Sequence, residues 1–274
     1  MKKTFIFLML CVVSAGSLFA QKGFNVSVAL QPGISMLSGD WKVYQDPTTS
    51  YLFKKSVTFG FAGGAIGGFN FTDNMGVSAG LIFSSQGQKY ADLTVQPNAY
   101  GSETINQTIH LSYFKIPLKF NYSTDPTKSV SFLGSAGFYL GFLTGYKQTV
   151  EENGSYTAYG TTYNISATSV TTGTTVTYTG SQSSSTHNLD SKPFKSADFG
   201  LTLSVGAQKK LMEKLFLFVM INFEKGFGDV KNVSTQETLS NGTLTPYYNA
   251  NDPNRSVTHS NTLLGLMIGV KKAF

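Results

Sequence analysis

The 274-residue sequence is poor in charge and almost free of cysteine. Asp, Glu, Lys and Arg make up 13% of the chain, about half of what a soluble domain usually carries. The one cysteine, Cys11, lies in an N-terminal apolar run, which excludes an internal disulfide and a cysteine-based metal site. The formal net charge of +6 is scattered along the chain, which excludes the basic patch of a nucleic-acid-binding protein.

Cofactor-binding motifs are also missing. Several glycines lie between Gly60 and Gly68, but they lack the spacing of a dinucleotide-binding loop. We therefore expect no cofactor and no metal site.

The first twenty residues have the pattern of an export signal. Lys2 and Lys3 precede an apolar run from Phe5 to Val13, and small residues then lead to Ala20. We expect cleavage after about Ala20, which leaves a mature domain at 21–274 with no cysteine and a formal charge of +4.

Beyond this segment the sequence lacks any apolar run long enough for a membrane helix. It contains alternation instead. In Ser56–Ser85, apolar side chains occupy every second position on either side of Thr72-Asp73-Asn74, which predicts two strands joined by a tight turn. A chain without membrane helices can cross a bilayer only as a closed barrel. We therefore interpret the apolar face of these strands as the outer, lipid-facing one.

The connections between predicted strands alternate in length. Short turns fall near 72–74, 123–129 and 209–214, and long polar connections near 38–55, 91–107, 147–195 and 230–258. This is the rhythm of outer-membrane barrels, which have short periplasmic turns and long extracellular loops. The predicted fold is an all-β, transmembrane, antiparallel up-and-down β-barrel of eight strands. Within 147–195, either an extended hairpin or a loop fits the Ser- and Thr-rich sequence.

The fourth predicted strand, Ile109–Tyr122, changes phase. Ile109, Leu111 and Tyr113 share one face, whereas Phe114 and the even-numbered residues after it are apolar on the other. We expect a β-bulge at this point, because a bulge shifts the alternation by one residue.

Several phrases resemble the PorT-like group of outer-membrane barrels found in Bacteroidetes-type bacteria. They are Gly80–Gly87 (GLIFSSQG), Tyr113–Phe120 (YFKIPLKF), Gly226–Asp229 (GFGD) and the terminal Phe274. The resemblance spans the mature chain and implies an outer-membrane barrel. The name of the group comes from a component linked to protein secretion, but no motif of this sequence carries that role over. A secretion or surface protein is one expected partner of the external loops.

The last predicted strand also resembles the C-terminal signal that the barrel-assembly machinery reads. Gly269, Val270 and the terminal aromatic residue Phe274 fit that signal. The expected partners are thus outer-membrane lipid and the assembly machinery.

Four charged residues are predicted to point into the lumen: Lys115, Lys119, Asp198 and Glu224. An eight-stranded barrel has room only for side chains, and buried charges are costly when unpaired, so we expect these groups to pair and plug the lumen. A small passive porin lined by the same residues is the alternative.

A second alternative is enzymatic. His110 and Ser112 form a His-x-Ser pair that resembles the arrangement in lipid A deacylases. A serine hydrolase also needs an acid to orient the base, and none is obviously placed here. The local alternation turns both residues inward, so we predict a non-enzymatic protein with a structural, binding or secretion-accessory role.

Overall fold

The computed structural model describes residues 23–39, 42–46, 49–52, 54–95, 101–124, 128–181, 183–238, 244–246 and 258–274. The predicted signal segment and most of the connection at 230–258 lie outside these residues. Within them, no helix is long and apolar enough to span a bilayer. The secondary structure of the described residues consists of sixteen β-strands, numbered along the chain.

Eight of the strands each contain or overlap one predicted strand, and these eight are called the long strands below. They are β1 (Phe24–Leu37), β5 (Thr58–Asn70), β6 (Met75–Val95), β7 (Gly101–Ser123), β8 (Val130–Ala158), β12 (Ala197–Met212), β13 (Leu215–Gly226) and β16 (Asn261–Ala273). The others are β2 (Lys42–Asp46), β3 (Thr49–Leu52), β4 (Lys54–Ser56), β9 (Thr161–Thr172), β10 (Thr175–Gly180), β11 (Ser184–Leu189), β14 (Gln236–Thr238) and β15 (Leu244–Pro246). The predicted total of eight strands is therefore not confirmed, because the long connections contain strands of their own.

All pairings are antiparallel. β5 pairs with β1 and β6, β7 with β6 and β8, β12 with β8 and β13, and β16 with β13 and β1. The sheet curls strongly, since Lys115 on β7 contacts Glu224 on β13 although these strands are not hydrogen-bonded neighbours. The buried face of the sheet thus surrounds an interior.

The exposed face carries a band of large apolar side chains, the apolar band. On β7, Leu118 is 63% exposed while the next residue, Lys119, is 7% exposed. The other long strands also expose large apolar side chains, although parts of their buried faces are apolar too. Members of the band include Leu30, Ile34, Phe59, Phe61, Leu81, Phe83, Ile116, Phe120, Phe132, Phe138, Leu140, Phe199, Leu203, Val205, Val219, Ile221, Leu264, Leu266 and Ile268. Apolar side chains outside and charged ones inside are typical of a β-barrel in lipid.

The alternation of β7 runs without a slip from Gln107 to Lys119. Odd-numbered residues are buried throughout, whereas even-numbered residues are exposed or half-buried. What changes near Tyr113 is the chemistry of each face. From Phe114 onward the outer face is apolar and the inner face charged, and before it the outer residues are polar and the inner ones apolar.

The predicted bulge in this strand is therefore wrong in place and in cause. The register shift in the β7–β8 pair leaves Thr144 of β8 as the extra residue, because Ser112 pairs with Gly145 and Tyr113 with Leu143. In β7 itself the strand leaves the apolar band, so apolar side chains move to the buried face.

Strands continue well past the apolar band at the end of the molecule that holds the long connections. β6 runs to Val95 and β7 begins at Gly101, so most of the loop predicted at 91–107 is paired strand. β8 is followed by β9, β10 and β11 in one meander, so strands occupy most of the connection at 147–195. Of the two alternatives left open there, the structure shows the extended hairpin, formed by β9 and β10. The connection at 38–55 contains the β2–β3 hairpin.

A hydrophobic core lies at this end of the interior. Its members, the apolar cluster, are Leu37, Tyr90, Leu93, Ile109, Leu111, Tyr113, Leu143, Phe194 and Val230. Phe194 and Val230 come from two connections, which are joined by the hydrogen bond from Lys195 N–H to Val230 O at 2.8 Å. Val230 N–H in turn donates to His259 O at 2.7 Å. Three segments, 190–196, 229–235 and 258–260, therefore cover the cluster, and together they are called the cap below.

Candidate functional site

An ion pair occupies the middle of the interior. Lys115 Nζ on β7 lies 2.6 Å from Glu224 Oε2 on β13, and both side chains are almost fully buried. Alternation places both residues on the inner face of their strands. Lys115 Nζ also lies 4.4 Å from the ring centroid of Tyr139, which adds a cation–π contact.

Asn222 connects this pair to its surroundings. Its Nδ2 donates to Glu224 Oε1 at 3.1 Å and to Gln31 Oε1 at 2.9 Å. Its Oδ1 accepts hydrogen bonds from Ser204 Oγ at 2.6 Å and from Lys119 Nζ at 3.3 Å. Asn222 therefore links four strands, β1, β7, β12 and β13.

Asp198 has different partners. Its Oδ2 accepts hydrogen bonds from Tyr139 OH at 3.0 Å and from Asn261 Nδ2 at 2.8 Å. Asn261 also donates to Tyr113 OH at 3.1 Å. This arrangement lies directly below the apolar cluster, of which Tyr113 is a member.

The structure brings the four predicted lumen residues to the buried face but joins only two of them directly. Lys115 pairs with Glu224, whereas Lys119 and Asp198 have neutral hydrogen-bond partners. The sequence reading missed Asn222, Tyr139 and Asn261. Asn222 was detectable, because it lies two residues before Glu224 and so shares its strand face.

Two glycines make room for Asp198 and Tyr139. A Cβ at Gly200 would lie 2.6 Å from the Tyr139 ring, and a Cβ at Gly226 would lie 2.9 Å from Asp198 Oδ1. Real Cβ atoms do not approach neighbours this closely, so larger residues at these two positions would displace the network.

The interior is filled beside the ion pair and open further down. Next to Lys115 and Glu224 the free space is only about 20 Å³. Towards the short turns it widens into a cavity of about 650 Å³, which Lys119, Lys271 and the turn residues Asp73 and Asn74 help to line. This space is called the lower cavity below.

His110 and Ser112 do not face the interior, contrary to the prediction. His110 is exposed and Ser112 half-buried, on the outer face of β7 beyond the apolar band. Within the described residues no hydrogen bond joins the two side chains, and neither bonds a carboxylate. The pair therefore lacks the geometry of a nucleophile with its base.

The three residues of the predicted assembly signal lie on or next to β16. Val270 is exposed on the outer face, and Gly269 faces inward against the Phe218 ring. Phe274 N–H donates to Phe24 O at 2.9 Å, which ties the last residue to the start of β1.

The chemistry of these groups is that of a fixed polar network. Among the described residues, no cluster of three or more His, Cys, Asp or Glu side chains could hold a metal ion. The network neutralises charge and fills space in the interior.

The sequence matches the model of a known protein family. The profile of a family described as "Outer membrane protein beta-barrel domain" matches residues 19–232. No curated protein matches the sequence.

The solved structures to which this chain is similar share little sequence with it. They include Neisserial surface protein A (12% identity, TM-score 0.37, 92% of this chain and 98% of that one). OprG from Pseudomonas aeruginosa has 12% identity and a TM-score of 0.38, over 93% of this chain and 97% of that one. The outer membrane protease OmpT from Escherichia coli has 10% identity and a TM-score of 0.40, over 93% of this chain and 99% of that one.

Proposed function

Because the chain belongs to the outer membrane protein β-barrel family, we propose that it is a sealed, non-enzymatic barrel that presents a β-structure outside the cell. The family points to the outer membrane. The proposal adds a closed eight-stranded barrel, a plugged lumen and a binding or secretion-accessory role.

The strand pairings support closure. Each of the eight long strands is hydrogen-bonded to two others, and β1 pairs with both β5 and β16. A closed barrel leaves no unpaired edge in lipid, where an unsatisfied backbone group costs several kcal/mol. In this arrangement the short turns lie in the periplasm, and the extensions of β6, β7 and β8 lie outside the cell.

The observation that carries the proposal is the double obstruction of the interior. The network around Lys115, Glu224 and Asn222 leaves about 20 Å³ of free space at mid-height. Above it, the apolar cluster is covered by the cap. Water and ions would have to displace both, so the resting barrel does not conduct.

Planar-bilayer recording tests this directly. The purified chain should give no steady single-channel openings when it is inserted into a lipid bilayer. A Glu224→Ala/Lys115→Ala variant should also stay closed, because the apolar cluster still seals the outer end. Steady openings of the unaltered chain would instead favour the passive porin.

The meander of β9, β10 and β11 (residues 161–189), here called the outer meander, is the proposed binding surface. Between 154 and 189 the chain has no Asp, Glu, Lys or Arg, and Tyr163 and most of the threonines are exposed. Such a surface suits contact with another protein, and the PorT-like resemblance suggests a secretion or surface component. We also propose that the chain is exported with cleavage after about Ala20 and inserted by the barrel-assembly machinery through Gly269, Val270 and Phe274.

Proximity cross-linking tests the partner. A photo-reactive amino acid at Thr161 or Tyr163, on the exposed part of β9, should capture one defined protein in cells. The same group at Phe132, in the apolar band, is the matched control and should capture only lipid. Equal capture from both positions would contradict the proposed surface.

A further inference from the structure

The lower cavity has the composition of a ligand site. Its volume of about 650 Å³ lies within the 300–1,000 Å³ usual for small-molecule sites. It extends to the short-turn residues Asp73, Asn74 and Ser123, so in the proposed orientation it is approached from the periplasm. The network around Lys115 and Glu224 forms its inner end.

One wall of this cavity is apolar. Phe216, Phe218 and Met220 lie at alternate positions on the inner face of β13, and Met267 and Leu133 pack beside them. This explains why β13 begins with an unbroken apolar run. One of its faces meets lipid and the other lines the cavity, where an apolar ligand surface would bury favourably.

The polar side of the cavity carries positive charge. Lys119 is 7% exposed, and among the described residues its Nζ donates hydrogen bonds to Ser204 Oγ and Asn222 Oδ1, both at 3.3 Å. Within the described residues no carboxylate lies within 4.0 Å of this ammonium group. A buried ammonium with two long bonds to neutral oxygens retains capacity for an anionic acceptor.

A second cation lies nearer the mouth. Lys271 lines the cavity, half-buried, with its Nζ 5.2 Å from the Phe216 ring centroid. The acidic residue among the lining groups is Asp73, which lies in the exposed turn. The two ammonium groups therefore attract an anion, Lys271 near the mouth and Lys119 deeper in the cavity.

We propose that the lower cavity binds an organic carboxylate with a short apolar tail. The carboxylate accepts hydrogen bonds from Lys119, and the tail packs against Phe218, Met220 and Met267. This site is separate from the outer meander, and it does not require the barrel to conduct.

Calorimetry on the full chain in lipid nanodiscs tests the site with hexanoate as the probe. Hexylammonium and hexanol, which have the same tail without the negative charge, are the ligand controls, and empty nanodiscs provide the blank. The chain should bind hexanoate saturably and the two controls far more weakly. Equal affinity for hexanoate and hexylammonium, or no saturable heat with hexanoate, would overturn the proposal.

Three lysine-to-methionine substitutions test where hexanoate binds. Lys119→Met keeps the length of the side chain and should weaken hexanoate binding about tenfold or more, because it removes a charge-assisted hydrogen bond. Lys271→Met, at a half-exposed position that tolerates change, should weaken it by a smaller factor and serves if Lys119→Met does not fold. Lys128→Met, exposed at the same end and outside the cavity lining, should leave binding unchanged. Equal affinities in Lys271→Met, Lys128→Met and the unaltered chain would contradict the assignment.

Discussion

At the residue scale, the interior is held by charges whose partners are fixed. Lys115 and Glu224 are 2.6 Å apart, and Asn222 satisfies the second oxygen of Glu224. A buried ion pair adds little net stability over apolar residues of the same size, but removing one partner leaves an unpaired buried charge. The pair therefore matters for stability mainly because the loss of one partner would leave the other as an unpaired buried charge.

Replacing one member of the pair should destabilise the barrel more than replacing both. We expect Lys115→Met to lower the free energy of unfolding by about 3–5 kcal/mol, because Glu224 then stays buried without a cation. Lys115→Met/Glu224→Leu should recover most of that loss. Urea unfolding in lipid vesicles, followed by circular dichroism, measures both. A double variant as unstable as Lys115→Met would show that packing rather than charge is responsible.

The Tyr139 hydroxyl should also matter. Tyr139→Phe removes the hydrogen bond to Asp198, whose other oxygen already has no partner among the described residues. Hydrogen bonds to charged groups contribute about 1.5–3 kcal/mol, and we expect a loss in that range. Tyr122→Phe, on the exposed face of β7, is the matched control and should be neutral in the same unfolding assay. Equal effects of the two substitutions would contradict the role of Asp198.

At the element scale, β7 explains both what the sequence predicts and where prediction fails. Period-two alternation is local, so all eight long strands were found from it, as were the inward positions of Lys115, Lys119, Asp198 and Glu224. Which face is apolar depends on the surroundings of the strand. The sequence from Ile109 to Phe114 therefore predicts a bulge in β7, whereas the strand keeps its alternation and only the chemistry of its two faces changes.

The contacts between non-adjacent strands were beyond sequence reasoning. Asn222 on β13 meets Gln31 on β1, at a sequence separation of 191 residues. No local pattern reports such a pairing. The same holds for the cap, where Lys195 and Val230 are joined across two connections.

In the connection between β11 and β12, the hydrogen bond that Asp190 accepts should be lost in acid. Gln236 N–H donates to Asp190 Oδ1 at 2.8 Å, and this backbone hydrogen bond lowers the pKa of the Asp190 carboxyl below its ordinary value of 3.8. A lowered pKa means that the ionised form favours the folded contact. The contact is fully present above pH 3.8 and is lost as the pH falls through the lowered pKa.

An NMR titration of the Gln236 amide measures this contact. Its chemical shift should be constant at neutral pH and move only under acidic conditions. Asp190→Asn should abolish that movement without affecting the amide of Ser204, inside the barrel. A Gln236 shift that titrates identically in Asp190→Asn would contradict the contribution of the carboxylate.

At the scale of the whole molecule, three levels succeed one another along the strands. The lower cavity lies between the short turns and Lys119, the polar network lies at mid-height, and the apolar cluster lies beneath the cap. The outer surface changes in step, with the apolar band around the lower levels and a polar surface beyond Phe114. In the proposed arrangement, a membrane barrel with an apolar outer surface continues into an outer part that has a polar surface and an apolar interior.

That change of surface is tested most directly by a nitroxide scan of β7. In single-cysteine variants from Thr108 to Phe120, the introduced cysteine is the only one outside the predicted signal segment, because Cys11 is the one cysteine of the sequence. In lipid vesicles, labels at Phe114, Ile116, Leu118 and Phe120 should be accessible to oxygen, and labels at Thr108, His110 and Ser112 to a water-soluble nickel chelate. Odd-numbered positions should be shielded from both. The account predicts that even-numbered residues of β7 face outward throughout and meet lipid from Phe114 onward. A change of the accessible positions from even to odd between Phe114 and Tyr113, or the absence of any lipid-accessible position, would contradict it.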